Sequence, residues 1–294
     1  MKTFLAPILL ALLASACGLA PGGSPAPSSP VPPSGADQLV FRIETRGGNV
    51  PPEWSFSNLP SLSIYGDGRV VTMGPQVAIY PGPAMPNLQV QRLSPAGISA
   101  LLAAARDAGL LVGIARIDHN GVADAATTRV TIVADGRVHR IDAYYLEGAD
   151  DAMVPEQQRP LRRALAAFLA RVADAPTFFG PELTAESQPY VPHAMRLLTR
   201  AGDAAQMPEP GLVNVRDWPI KAVPLLTAGV PAEGFGEAAR CVLLEGGALV
   251  ANLAVLSAAN ELTMWRDAGV TYLVRFRPLL PDETGCISFP DRGE

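Results

Sequence analysis

Residues 127–146, TTRVTIVADGRVHRIDAYYL, contain two strand-like runs on either side of the turn residues Asp135-Gly136. An Asp-Gly pair tolerates the positive φ angles of a tight turn, so this stretch predicts a β-hairpin. The stretch that follows, EQQRPLRRALAAFLARVADA (156–175), repeats apolar side chains at helical spacing and predicts an amphipathic helix. We therefore expect a hairpin followed by a helix that covers one of its faces.

The same order of elements occurs earlier in the chain. LPSLSIYGDGRVVTM (59–73) predicts another hairpin, and VQRLSPAGISALLAAARDAGLL (90–111) predicts another helix, with Ser94 as its N-cap. The tetrapeptide Asp-Gly-Arg-Val occurs at 67–70 and again at 135–138. This pattern fits a hairpin–helix unit used twice, or equally two unrelated hairpins that share a favoured turn.

The last third of the chain predicts further strands and one helix. Residues 194–200 and 240–246 are typical of strands, a short helix is expected near 247–259, and a hairpin is expected around 267–269. Antiparallel hairpins with helices packed on one face indicate an α+β fold rather than a doubly wound α/β fold.

The 294 residues suffice for two lobes with cores of their own. We expect a first α+β lobe at 37–180 with both hairpin–helix units, and a second α+β lobe at 181–294. Residues 177–192 are the expected crossover between them.

The N-terminus predicts export and anchoring. Residues 1–16 fit a signal peptide, because the apolar run from 4 to 14 is shorter than the roughly 20 residues that span a bilayer. Ala14-Ser15-Ala16-Cys17 resembles a bacterial lipobox, which predicts lipidation of Cys17. The alternative is ordinary cleavage after residue 16 and secretion with an unmodified cysteine. Residues 17–36 would form the lipidated start and a disordered, proline-rich linker.

Two further cysteines, Cys241 and Cys286, remain after Cys17. An even number of cysteines besides the lipidation site predicts a disulfide in an exported protein, with two free thiols or a redox pair as alternatives. The net charge of −5 argues against a nucleic-acid partner, which needs a dense basic surface.

The chain resembles a family of uncharacterised exported bacterial proteins, many of them predicted lipoproteins. The likeness rests on the blocks at 41–94 (FRIETRGGNVPPEWS to VQRLS), 106–111 (RDAGLL), 124–144 (DAATTRVTIVADGRVHRIDAY) and 276–286 (FRPLLPDETGC). It implies a location at the outer face of the cell membrane or envelope and an architecture, but no activity and no catalytic residues.

The sequence shows no catalytic or metal-binding motif, and we predict no catalytic residue, no metal and no cofactor. The loop at 117–125, IDHNGVADA, offers oxygen ligands of the kind Ca²⁺ accepts, but it lacks the EF-hand spacing and favours a simple turn. Two proline-rich loops present aromatic side chains, Trp54 and Tyr80. They would form a recognition surface or, alternatively, fold back to cover the first sheet.

These observations predict a lipid-anchored, non-enzymatic binding or interaction protein. Its expected partners are the membrane, through the anchor, and an unidentified protein or envelope ligand. The alternatives are an exported hydrolase whose site assembles only in three dimensions, and an envelope-spacing protein without a small ligand. A pocket gathering a histidine, a carboxylate and a hydroxyl would favour the hydrolase.

Overall fold

The computed structural model describes residues 28–148, 151–184 and 186–286, which form two β-sheets with helices packed against them. The α+β class predicted from the sequence is confirmed. The predicted signal peptide, Cys17 and the linker up to residue 27 lie outside the described residues.

The first sheet has eight strands in the order β5-β7-β6-β1-β2-β3-β4-β8. They are β1 (Leu39–Gly47), β2 (Leu62–Tyr65), β3 (Arg69–Met73), β4 (Leu88–Arg92), β5 (Ile114–Ile117), β6 (Ala126–Ala134), β7 (Arg137–Tyr144) and β8 (Gln188–Pro189). Both predicted hairpins are present, as β2–β3 and β6–β7. The edge pair β5–β7 is parallel, a feature that hairpin patterns do not predict.

Three helices cover the first sheet: α2 (Pro95–Asp107), α3 (Arg159–Ala173) and the short α4 (Ala175–Phe179). Helix α2 starts as predicted, because Ser94 Oγ accepts a hydrogen bond of 3.1 Å from the Gly97 amide. The apolar faces of α2 and α3 share one core with a single face of the sheet. Phe41 of β1 meets Phe168 of α3 edge to face at 5.9 Å.

The second sheet has six strands in the order β10-β13-β14-β9-β12-β11. They are β9 (Ala194–Ala201), β10 (Asn214–Asp217), β11 (Val230–Pro231), β12 (Arg240–Glu245), β13 (Thr263–Asp267) and β14 (Val270–Pro278). All neighbours are antiparallel except the edge pair β10–β13.

Helices lie on both faces of the second sheet, where the sequence predicts one face only. Helix α5 (Gly246–Ser257) packs Leu249 and Leu256 on the face that carries Leu197. Helix α1 (Pro52–Ser57), from the first lobe, packs Phe56 on the opposite face against Leu198. Because α1 is only six residues long, it has no helical periodicity that sequence reasoning could detect.

The two lobes interlock in the structure. Strand β8, from the segment expected to be the crossover and the start of the second lobe, adds to the edge of β4 in the first sheet. Residues 279–286, here called the C-terminal strap, return from β14 to the first lobe. Leu280 of the strap joins an apolar cluster with Tyr65, Val71 and Leu88 on the face of the first sheet away from α2 and α3.

Ion pairs hold the strap on both sides. Asp282 Oδ1 lies 2.7 Å from Arg42 Nη2 of the first sheet and accepts a 2.9 Å hydrogen bond from the Tyr65 hydroxyl. Glu283 receives two hydrogen bonds from Arg277 of the second sheet, at 2.6 and 2.7 Å. The strap therefore supplies each lobe with a carboxylate for a mostly buried guanidinium.

The prediction of a disordered linker up to residue 36 is wrong for residues 28–36. The Val31 amide donates to Asp135 Oδ1 at 2.9 Å, and the Val31 carbonyl accepts from the Asp135 amide at 2.9 Å. Arg106 Nη1 donates to the Ser28 carbonyl at 3.0 Å. An extended proline-rich chain makes no internal hydrogen bonds, so its backbone carbonyls and its non-proline amides are available for such contacts. A proline-rich composition therefore does not exclude docking on the folded part of the chain.

Within the described ranges, no helix has both the length and the hydropathy that a membrane span requires.

Candidate binding groove

A groove of about 430 Å³ lies between α1 and the open face of the second sheet. Its wall includes Trp54 of α1 and Phe235 of the loop before β12, and its floor includes side chains from β9 and β14. The floor residues are Leu198, Arg200, Leu273 and Arg275. Trp54, predicted from the sequence as a recognition residue, is thus placed in a groove rather than over the first sheet.

Both lobes hold α1 in position. Proline at the start of the helix needs no amide partner there, and the Asn58 amide closes the helix on the Trp54 carbonyl at 2.8 Å. Asn58 Nδ2 donates to the Thr45 carbonyl of β1 at 2.5 Å, while its own carbonyl accepts from Arg277 Nε at 3.1 Å. These bonds fix the wall that carries Trp54 over the floor.

An apolar cluster supports the groove from behind. Phe56, the buried residue of α1, meets Phe235 edge to face at 5.9 Å. Cys241 and Cys286 form a disulfide with a Cα–Cα distance of 5.9 Å, as the sequence predicts, and both belong to this cluster together with Leu198. The disulfide therefore joins the end of the strap to the back of the groove.

The strand register brings two arginines together on the floor. Leu198 pairs with Arg275, and Arg200 pairs with Leu273, across the antiparallel strands β9 and β14. Because side chains two residues apart share a face, Arg200 and Arg275 are diagonal neighbours, roughly 7–8 Å apart at the backbone. The sheet thus presents two guanidinium groups beside apolar Leu198 and Leu273.

The same face carries two more arginines deeper inside, Arg196 and Arg277, which pair in the register of β9 and β14. Arg196 donates to the Gly285 carbonyl of the strap at 3.1 Å. Burial, together with the charge of Arg277, lowers the pKa of Arg196. Burial alone would raise the pKa of Glu283, but the hydrogen bonds and charge of Arg277 bring it below its usual value.

The two outer arginines are weakly partnered. Arg200 Nη1 lies 3.4 Å from Glu53 Oε1 of α1, and both side chains are partly exposed. Arg275 donates to the Glu261 carbonyl at 3.4 Å and makes no ion pair with any residue in the described part of the chain. The groove consequently joins an aromatic wall to a floor with net positive charge.

Tyr80, the other predicted recognition residue, does not line this groove. It lies in the loop between β3 and β4 with 61% of its surface exposed, and its hydroxyl hydrogen-bonds Glu209. The alternative expectation, that Trp54 and Tyr80 cover the first sheet, is wrong for both side chains. The structure does not bring them into one surface.

The histidines are placed away from the groove. His139 Nδ1 accepts a 3.0 Å hydrogen bond from the Gly113 amide, and burial, with the charge of Arg137, lowers its pKa. His119 is buried against Tyr145. His193 is exposed. Neither this groove nor a smaller one of about 320 Å³ beside β4 and β8 has a histidine in its lining.

In the loop at 117–125, the carboxylate of Asp118 makes contacts within the protein. Asp118 pairs with Arg116 at 2.7 Å and contacts Gln158. Within the ranges that the structure describes, no group of three or more histidine, cysteine, aspartate or glutamate side chains is placed to hold a metal ion.

The sequence predicts the disulfide and names Trp54 as a candidate, whose role in recognition stays a prediction; it does not point to Phe235, Arg200 or Arg275. The alternation Leu273-Val274-Arg275-Phe276-Arg277 does place arginines on one face of a strand. It could not show which face stays open, because that depends on where α1 and the strap pack.

No protein-family model, curated protein or solved structure matches the chain.

Proposed function

We propose that this chain is a lipid-anchored, non-enzymatic binding protein of the bacterial cell envelope, and that its ligand occupies the groove beside Trp54. The observation that carries the proposal is the groove itself, which is lined by a half-buried tryptophan, Trp54, and by Arg275, an arginine without an ion-pair partner among the described residues. Tryptophan and arginine are the residues most often found to dominate binding energy at interfaces.

The docked segment 28–36 and the groove lie at opposite ends of β1. Residues 28–36 dock beside the Asp135 turn, next to the start of β1, whereas α1 follows the end of β1. Nine residues of strand separate these ends by roughly 30 Å. Ten residues lie between Cys17 and Ser28, so a lipid on Cys17 would hold the docked end within roughly 40 Å of the membrane.

The proposed anchor rests on the sequence of the N-terminus, and its test is chemical. The mature protein should begin at Cys17 and carry the mass of several acyl chains, and Cys17→Ala should move it from the membrane fraction to the soluble fraction. An unmodified Cys17 in the mature wild-type protein would remove the anchor from the proposal and leave secretion.

The binding function is tested by photo-crosslinking on intact cells. A photoreactive amino acid at Ser55, an exposed position on α1, should give adducts, whereas the same group at the exposed Ala100 of α2 should not. Trp54→Ala should abolish the Ser55 adducts. Equal adducts at both positions, or Ser55 adducts that survive Trp54→Ala, would contradict a ligand in this groove.

The hydrolase alternative makes a different prediction. It requires a histidine with a carboxylate and a hydroxyl at one site, and the lining of neither groove provides that set. The aromatic and arginine side chains that line the larger groove support binding, and hydrolysis stays the alternative.

A further inference from the structure

The open face of the second sheet carries more positive than negative charge. Four arginines alternate along β9 and β14 on this face, and the strap supplies Glu283 to the inner pair. The outer pair, Arg200 and Arg275, meets one carboxylate in the groove lining, that of Glu53. A ligand that enters the groove thus meets an uncompensated positive charge.

The contact between Glu53 and Arg200 does not neutralise the positive charge of the groove. Its oxygen–nitrogen distance is 3.4 Å, and the side chains are 31% and 46% exposed. Exposed ion pairs of this kind contribute little to stability, because water and salt screen them. A better-placed anion can therefore share or replace Glu53, and Arg275 offers its guanidinium without competition from any described carboxylate.

Apart from Ser57, the rest of the lining is apolar. Trp54 and Phe235 present aromatic surface, and Leu198 and Leu273 present branched aliphatic surface beside the arginines. A volume of about 430 Å³ is in the lower part of the range for small-molecule sites, roughly 300–1,000 Å³. The shape and the lining fit a small molecule with one apolar part and one charged end.

We propose that the groove binds a small amphipathic anion, with its apolar or aromatic body against Trp54 and Phe235 and its carboxylate or phosphate between Arg200 and Arg275. The planar fork of arginine binds either anion through paired N–H donors. This assignment rests on the proposed binding function and adds the chemical class of the ligand.

Trp54 provides the readout. The other two tryptophans, Trp218 and Trp265, are 0% exposed in the second core, so a ligand in the groove changes the emission of Trp54 and leaves theirs as a reference. Probes with the same ring and different ends separate charge from apolar contact: 3-phenylpropionate, phenyl phosphate, the neutral 3-phenylpropanamide and the cation 3-phenylpropylammonium.

We expect 3-phenylpropionate or phenyl phosphate to bind at least about tenfold more tightly than the amide, equivalent to about 1.4 kcal/mol. The ammonium probe should bind most weakly. Added salt should weaken the binding of the two anionic probes but not that of the amide. Arg275→Gln should remove the preference for the anion and leave the affinity for the amide unchanged. The control is Arg116→Gln in the first sheet, where the arginine side chain is 72% exposed. This substitution should change neither the preference for the anion nor the affinity for the amide.

The two anionic probes show which acidic group the ligand carries. Tighter binding of 3-phenylpropionate indicates a carboxylate, and tighter binding of phenyl phosphate indicates a phosphate. Equal binding of anion and amide, an unchanged preference in Arg275→Gln, or no binding of any probe would overturn the ligand class. Those results would leave the binding function itself standing as long as the Ser55 adducts depend on Trp54. Loss of that dependence would instead overturn the binding function.

Discussion

Glu283→Gln should destabilise the protein far more than a surface charge change does. Glu283 accepts hydrogen bonds from both Nη atoms of Arg277, at 2.6 and 2.7 Å, and from the Leu280 amide at 2.9 Å. The side chains of Arg277 and Glu283 are only 8% and 17% exposed. Glutamine has the shape of glutamate but leaves the guanidinium charge buried without its carboxylate.

Removal of one partner from a buried ion pair costs about 3–5 kcal/mol, and the residual exposure of Glu283 places the expected loss near the lower end, about 3 kcal/mol. Urea unfolding should detect it as a midpoint shift of about 1 M. Emission of Trp218 and Trp265, which lie in the second core, follows the transition. Asp107→Asn is the control, because Asp107 is 67% exposed in its pair with Arg106 and should change stability by less than about 0.5 kcal/mol.

The pH dependence gives a second, independent check. Because the folded-state pKa of Glu283 lies below its reference value of 4.5, the carboxylate contributes its full stabilisation above that value. The contribution is lost as the pH falls through the folded-state pKa. The stability difference between wild type and Glu283→Gln should be constant near pH 7 and shrink below about pH 4. A difference within about 0.5 kcal/mol of the control, or one that is the same at pH 7 and pH 3, would refute the reasoning.

Three further predictions concern other parts of the structure. Serine at both Cys241 and Cys286 opens a loop with a sequence separation of 45 and should cost up to about 4 kcal/mol; a reductant should lower the melting temperature of the wild type and leave the variant unchanged. Arg162→Ala should cost about 3 kcal/mol in thermal melts, because this 2% exposed arginine donates to the carbonyls at 145, 146 and 148; a loss below about 1 kcal/mol would contradict that role. Tyr80→Ala should leave both the melting temperature and groove binding unchanged, since Tyr80 is 61% exposed outside the groove; weaker binding in calorimetry would return Tyr80 to the recognition surface.

The sequence predicts the local elements well because each is encoded within about twenty residues. The hairpins depend on period-two alternation around Asp-Gly turns, and α2 on an N-cap serine followed by proline. The disulfide followed from the count of cysteines in a chain predicted to be exported.

The groove depends on contacts between residues far apart in the chain, and this is why the sequence does not predict it. Asn58 and Arg277, whose hydrogen bond places α1 over the second sheet, are 219 positions apart. Arg42 and Asp282, which hold the strap to the first sheet, are 240 positions apart. No local pattern specifies such pairs, and a six-residue helix such as α1 carries too few turns to show a buried face.

One strand pattern explains both the strap and the groove. Period-two alternation places Arg196, Arg200, Arg275 and Arg277 on the same face of β9 and β14. A face with four guanidinium groups cannot be buried by apolar side chains alone, because each buried charge needs a partner. The strap covers the inner pair and brings the carboxylate of Glu283 to it. The strap does not cover the outer pair, which stays partly exposed beside Trp54. An anion from solution would give these two arginines the negatively charged partner that Glu283 gives to Arg277 in the interior.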